Sequence, residues 1–168
     1  MANPAVESNS SRANITGEKH PQRLIMKELR IVVEIKASPE RVLAEVVDLE
    51  RWPQWTSTMS EVRLLDPTPL AIGKRAFVRQ PKWRPSVWKV TDLNATSFAW
   101  ETRSPGMRLK AGHIVNATQC GSRVELSLHF TGLLAPLIGR LYRRLSHEYL
   151  RIESESLRRL LEEGQGKS

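Results

Sequence analysis

Few side chains in this sequence have the type and setting to do chemistry, and His113 heads them. It lies in the stretch Met107–Ala117, on the same parity as Leu109, Ala111 and Val115. In a strand, that parity puts all four on one face. A neutral imidazole held among apolar neighbours can accept or donate one hydrogen bond, and it can act as a base near neutral pH. Two more polar residues, Gln80 and Thr102, fall on the apolar parity of their own stretches. A few placed polar groups on an apolar wall are what a ligand pocket needs. The competing account of His113 is a buried histidine bonded to a hydroxyl of the C-terminal segment, such as Tyr142, Ser146 or Tyr149. No second His or Cys stands at ligand spacing from His113, so no metal is expected. No cofactor motif is legible, and none is expected. Cys120 is the single cysteine, which rules out an intramolecular disulfide.

Such groups need elements to hold them. Residues 27–36 alternate Leu29, Ile31, Val33 and Ile35 with Glu28, Arg30, Val32 and Glu34, the period of a strand with one wet face. Ser38-Pro39-Glu40 opens a helix running to about Val47, with Ser38 as N-cap and Pro39 at the first helical position. A second helical turn, Asp48 to Trp55, is expected to break at Pro53. Six further strands follow, at about 60–65, 73–80, 86–92, 97–103, 107–117 and 123–131, with turns at Pro67/Pro69, Asn94 and Pro105-Gly106. From Leu134 the period changes. Leu134, Leu137, Ile138, Leu141, Leu145, Tyr149, Ile152, Leu157 and Leu160 recur at three- and four-residue steps, giving an amphipathic helix of about thirty residues. Gly164 and Gly166 are expected to end it. A lone strand followed by an antiparallel meander must cover its apolar face, and this helix is the only element large enough to do so.

The chain of 168 residues has room for one domain with a real core. Residues 1–24 are polar and without periodicity and are expected to form a disordered tail ahead of a single domain at 25–164. The N-terminus lacks an apolar h-region, and no stretch has the ~20 apolar residues of a membrane span, so a cytoplasmic protein is expected. The net charge of +8 invites a reading as a nucleic-acid or membrane binder. Lys74, Arg75, Arg79, Lys82, Arg84 and Lys89 fall within sixteen residues that hold no acid. They make a basic outer sheet face that suits transient contact with an anionic membrane. Most aromatics are expected to point inward, away from that face, which argues against nucleic acid as a partner. Mixed charge along the last helix, Glu153 included, reads as a solvated face.

Several strings then become specific together. Ala37-Ser38-Pro39-Glu40-Arg41-Val42 is followed by Asp48-Leu49-Glu50-Arg51-Trp52-Pro53-Gln54-Trp55. Ile72-Gly73, Trp88-Lys89-Val90-Thr91, Phe98-Ala99-Trp100-Glu101, Ser104-Pro105-Gly106, His113 and Leu134-Ala135-Pro136-Leu137-Ile138-Gly139-Arg140-Leu141 come in order after them. From about residue 27 onward the chain resembles the SRPBCC or START-like superfamily, and more narrowly its small bacterial polyketide cyclase/dehydrase-like members. The resemblance implies an α+β helix-grip fold (START-like, Bet v 1-like), in which a curved seven-stranded antiparallel sheet surrounds a long C-terminal helix. It also implies an internal pocket for an apolar molecule. Only Gly73 stands between the second and third strands, where the plant pathogenesis-related branch has a glycine-rich loop.

Three functions stay open. The first is binding or transport of a small hydrophobic molecule: a lipid, quinone, polyketide or aromatic. The second is a cyclase/dehydratase-type enzyme with His113 as general base, although no carboxylate falls on the inward parity of the sheet. The third is an interaction module that uses the basic sheet face. Strand parity and the helical period nominate Gln80, Trp88, Phe98, Trp100, Thr102, Leu109, Ala111, His113, Leu128, Leu141, Leu145 and Tyr149 as ligand contacts. Trp52 and Trp55 are expected to be structural, and Trp83 to guard the mouth or lie exposed. The oligomeric state stays open.

Overall fold

The computed structural model describes residues 28–163; the expected tail at 1–24 and the helix-ending glycines lie outside them. Strand β1 spans Leu29–Ile35, with the alternating burial its sequence dictates. Helix α1, Pro39–Val47, starts at Ser38, whose hydroxyl accepts from the backbone N–H of Arg41 at 3.4 Å. Val42 and Val46, one turn apart, carry its buried edge. A 3-10 turn, Leu49–Arg51, leads into the four-residue helix α2, Trp52–Trp55. Pro53 does not break this segment as expected. It sits in the first turn of α2, where its missing N–H has no intrahelical partner to lose.

Six strands follow: β2 Glu61–Leu64, β3 Arg75–Arg79, β4 Ser86–Leu93, β5 Ser97–Ser104, β6 Met107–Thr118 and β7 Gly121–Thr131. With β1 they form one antiparallel sheet in the order β1-β7-β6-β5-β4-β3-β2. The two strands that flank α1 and α2 in sequence therefore lie at opposite edges. Register is pinned by side chains that tolerate only one face. Ala76, Val78, Trp88, Val90, Phe98, Trp100, Leu109, Val115, Val124, Leu126 and Phe130 are all buried. At the start of β7, Gly121 (φ 147°) lies against β1, where a Cβ would come within 2.2 Å of the Ile35 carbonyl oxygen. Only glycine allows that approach.

Helix α3, Ala135–Glu163, lies across the concave side of the sheet and contacts chiefly β1 and β7. Near its C-terminal end, Glu162 accepts from the backbone N–H of Lys36 at 3.1 Å, tying the helix to the end of β1. Its buried residues are Ala135, Gly139, Ser146, Leu150, Glu153, Ser154, Leu157 and Leu161. This corrects the leucine face expected from the period. Leu137 and Leu141 are 67% and 70% exposed, roughly a third to half a turn away from the face that meets the sheet. In the N-terminal half of α3 the inward positions are small or polar, so hydrophobicity alone misplaces the face. Glu153, expected on the solvated side, is in the interior.

Candidate functional site

The space between sheet and α3 narrows to a cavity of about 40 Å³, within a recess of about 520 Å³ that includes its opening to solvent. The sheet supplies Trp88 from β4, Trp100 from β5, Leu109, Ala111 and His113 from β6, and Leu128 from β7. Helix α3 supplies Ser146, Tyr149, Leu150 and Glu153. Met59, Gln80, Trp52 and Trp83 complete the ends. Each inward strand residue is there because alternate side chains of a strand share a face.

At the centre, His113 Nε2 lies 2.7 Å from Glu153 Oε1. Both groups are buried: His113 is 3% and Glu153 7% exposed. This replaces the expected bond to a hydroxyl of α3. With the carboxylate as acceptor, Nε2 carries the proton, and in the neutral ring Nδ1 is left as an acceptor. Nδ1 is buried without a hydrogen-bond partner among the described residues, and so is the Ser146 hydroxyl. A carboxylate that fixes an imidazole's tautomer and angle is the arrangement general-base sites use.

The imidazole is also packed rigidly. Trp52 meets it edge-on, with ring centroids 5.5 Å apart and planes at 82°. The Trp52 indole N–H donates to the Val46 carbonyl at 3.1 Å, which locks the end of α1 to the site. Trp100 lies 5.4 Å from Trp52, 5.1 Å from Trp88 and 5.5 Å from Phe98. Tilted aromatic contacts of this kind are individually favourable.

The β3–β4 loop packs against α3 beside the recess. Trp83 stacks on Tyr142 of α3 at 4.4 Å, with planes 28° apart. The Tyr149 hydroxyl donates to the Pro81 carbonyl. Burial, and Glu148 beside it, push the Tyr149 phenol above its ordinary value, so it remains a donor.

Of the nominated contacts, Gln80, Trp88, Trp100, Leu109, Ala111, His113, Leu128 and Tyr149 border the cavity. Phe98 is buried behind His113, at 6.1 Å between rings, and does not reach the cavity. Thr102 and Leu145 lie outside the lining, and Leu141 points to solvent with the rest of the displaced leucine stripe. Glu153, Leu150 and Met59 escaped the sequence reading, while Ser146 was named there only as a hydroxyl partner for His113 and Trp52 only as structural. The signal for the helix residues was the series Ser146, Leu150, Glu153, Leu157, Leu161, a second stripe at four- and three-residue steps. His113 needed a partner opposite it, and that requirement selects this stripe.

The basic outer face is partly neutralised. Arg75 is held by Asp66 at 2.8 Å and Arg79 by Glu61 at 3.3 Å, and Lys74 donates to the Pro67 carbonyl at 2.8 Å. Lys82, Arg84 and Lys89 are exposed and make no ion pair among the described residues. No helix among those residues is long and apolar enough to cross a membrane. No cluster of three or more potential metal ligands occurs among them.

Comparison with solved structures places this architecture. The di-domain ARO/CYC StfQ from the steffimycin biosynthetic pathway superposes with a TM-score of 0.68 at 9% identity, over 83% of this chain and 51% of that one. This chain thus spans about half the length of that protein. A START superfamily protein from Mycobacterium smegmatis gives a TM-score of 0.68 at 15% identity, over 81% and 97% of the two chains. XoxI from Bacillus cereus gives 0.65 at 17%, over 81% and 96%. No curated protein sequence matches the chain. The profile of the family described as polyketide cyclase / dehydrase and lipid transport matches residues 26–162, nearly the whole folded unit. Its fold is START-like, and the chain belongs to that polyketide cyclase / dehydrase and lipid transport family.

Proposed function

We propose that this protein binds a small hydrophobic molecule between the sheet and α3, with the polar end of the molecule at His113, Glu153 and Ser146. One observation carries the reading. In a wall built mainly of tryptophans and aliphatic side chains, with Gln80, Ser127, Tyr149 and Glu153 among them, His113 Nδ1 and Ser146 Oγ are both buried without a protein partner among the described residues. Leaving such a group unpaired costs about 1–3 kcal/mol, and a ligand hydroxyl that donates to Nδ1 and accepts from Ser146 offsets that cost. The tryptophan faces favour a flat, oxygen-bearing guest such as a quinone, polyketide or aromatic over a flexible acyl chain.

Size limits how the guest enters. The 40 Å³ interior holds a few waters or one functional group, whereas ligand pockets run to ~300–1,000 Å³. Entry therefore requires the 81–85 loop to swing away from α3, breaking the Trp83–Tyr142 stack and the Tyr149–Pro81 hydrogen bond. Lys82 and Arg84 ride on that loop and would meet the phosphate of an anionic carrier or membrane first. Function in the cytoplasm is part of this reading.

A second reading is favoured by Glu153. An oriented imidazole can abstract a proton next to a carbonyl, as a cyclase/dehydratase requires, with the Ser146 hydroxyl as donor to the developing enolate. The two readings share a pocket and differ in whether the guest leaves unchanged.

Native mass spectrometry of the purified protein, followed by organic extraction, tests the binding reading. A co-purifying aromatic or quinone-like molecule is expected. It should be lost on Trp100→Ala and weakened on Ser146→Ala. An empty protein that also fails to take up naphthoquinones or anthraquinones, while remaining folded, would sink the binding reading.

A further inference from the structure

We infer that the β7–α3 connection and the first two turns of α3 form a docking face for an anionic lipid bilayer. The observation is an exposed leucine stripe with nothing packed on it. Leu133 is 89%, Leu134 42%, Leu137 67% and Leu141 70% exposed. Leu137 and Leu141 are one helical turn apart and share a face, and Leu133 and Leu134 precede them at the helix start. Exposed apolar clusters of this kind mark interaction sites, whereas single exposed leucines need no explanation.

The stripe is held in place. The backbone N–H of Leu134 donates to the Gly106 carbonyl at 2.9 Å. Its side chain packs against Gly106, so closely that a Cβ there would come within 2.9 Å of Leu134 Cγ. The β5–β6 turn therefore braces Leu134 at the start of the stripe.

Charge selects the occupant. Residues 131–147 contain Arg140, Arg143, Arg144 and His147 and no carboxylate. Among the described residues none of the three arginines makes an ion pair. They line a shallow groove with Leu29, Leu141 and His147. Arg140 and Arg144, one turn apart, border the leucines on one side. An apolar stripe edged by arginines is the pattern of a helix that lies in a lipid interface, leucines in the acyl region and guanidinium groups on the phosphates. A second copy fits less well. Across a two-fold axis the face would meet itself, setting three arginines against three, with Glu148, one turn beyond Arg144, as the first acid along the helix.

The inference does not depend on what the cavity holds. Tyr142, which stacks on Trp83, lies about 100° around the helix from Leu141, so that stack is off the docking face. Membrane contact thereby moves from the sheet face, where Asp66 and Glu61 neutralise two of the arginines, to the N-terminal end of α3.

Flotation of the full chain with lipid vesicles at low salt is the test. Binding to phosphatidylcholine vesicles containing phosphatidylserine is expected to exceed binding to phosphatidylcholine alone by about tenfold. The double variant Leu137→Ser/Leu141→Ser, and separately Arg140→Glu/Arg144→Glu, should each reduce it by about tenfold or more. Arg75→Glu/Arg79→Glu on the sheet should leave most binding intact. Circular dichroism melting shows whether each variant is folded, as exposed substitutions predict. Three outcomes would overturn the inference: no serine-lipid dependence, loss of binding only in the sheet variant, or a wild-type dimer in solution that the leucine variant dissociates. The last would assign the face to a second copy.

Discussion

Replacing His113 and Glu153 separately and together tests whether the buried pair serves function or stability. The two groups are 2.7 Å apart, with side chains 4% and 10% exposed. Glu153→Leu leaves a buried imidazole N–H without an acceptor, at a cost of about 1–3 kcal/mol. His113→Leu leaves a carboxylate in the same place, and stranding one member of a buried charge pair costs about 3–5 kcal/mol. The double variant removes both polar groups and fills the space with methyls, a change that is often neutral or stabilising. For a domain of this size ~1 kcal/mol moves Tm by about 3–4 °C. The single variants should therefore melt about 7 °C and about 14 °C below the wild type, and the double variant within about 4 °C of it. Urea unfolding with a constant m-value supplies the free energies. The coupling should exceed ~2 kcal/mol, and the stable double variant should no longer retain the ligand. Single effects that add to the double within ~0.5 kcal/mol would show that the two groups do not act as a unit. A double variant as unstable as His113→Leu would show that the pair is needed for folding.

The other predictions concern the mouth, the strand edge and the outer face. Trp83→Ala removes the stack on Tyr142, worth ~0.5–1.5 kcal/mol, so a bound naphthalene dye should leave about three- to tenfold faster in stopped flow; an unchanged off-rate would mean that the 81–85 loop is not the gate. Gly121→Ala forces a Cβ within 2.2 Å of the Ile35 carbonyl and should cost about 3 kcal/mol or more. Gly73→Ala, with φ 91° but only Lys89 Cε nearby at 4.0 Å, should cost about 1–2 kcal/mol, and urea midpoints would rank the two. Asp66 is held at about 2, below its ordinary 3.8, first by the hydrogen bonds from the Arg75 side chain and then by that residue's backbone and charge. Because its folded value is depressed, its contribution is present above the unfolded value and is lost as pH falls through about 2. The Tm difference between wild type and Asp66→Asn should therefore be largest above about pH 4 and vanish near pH 2; a difference independent of pH would assign the effect to geometry alone.

The strands were legible because a period of two leaves little freedom. Once Leu109 and Val115 face inward, His113 must as well, and one sequence pattern fixes both core and site. The helix was less legible. Its leucines form a regular stripe, yet Leu137 and Leu141 face solvent, while the inward face at this level carries Gly139 and Ser146. Hydrophobic periodicity marks an apolar face without saying what covers it. Glu153 was hidden for the same reason: in the run Glu153-Ser154-Glu155-Ser156 nothing local distinguishes the buried carboxylate from the exposed one. Only its distance to His113, forty residues earlier in the chain, does so. Trp52 was read as structural, which its bond to Val46 supports, but the same indole also walls the cavity.

The sheet order has a consequence for how the protein is made. Leu29 at the start of β1 pairs with Leu128 in β7, about a hundred residues later. At ~5–20 residues per second, β1 leaves the ribosome roughly 5–20 s before its partner exists. During that interval an alternating apolar strand has no edge to join, while the hairpins from β2 to β6 can already zip together in order. Closure of the sheet and arrival of α3 must then follow in quick succession. The nascent chain is therefore most exposed to mispairing just before β7 is complete.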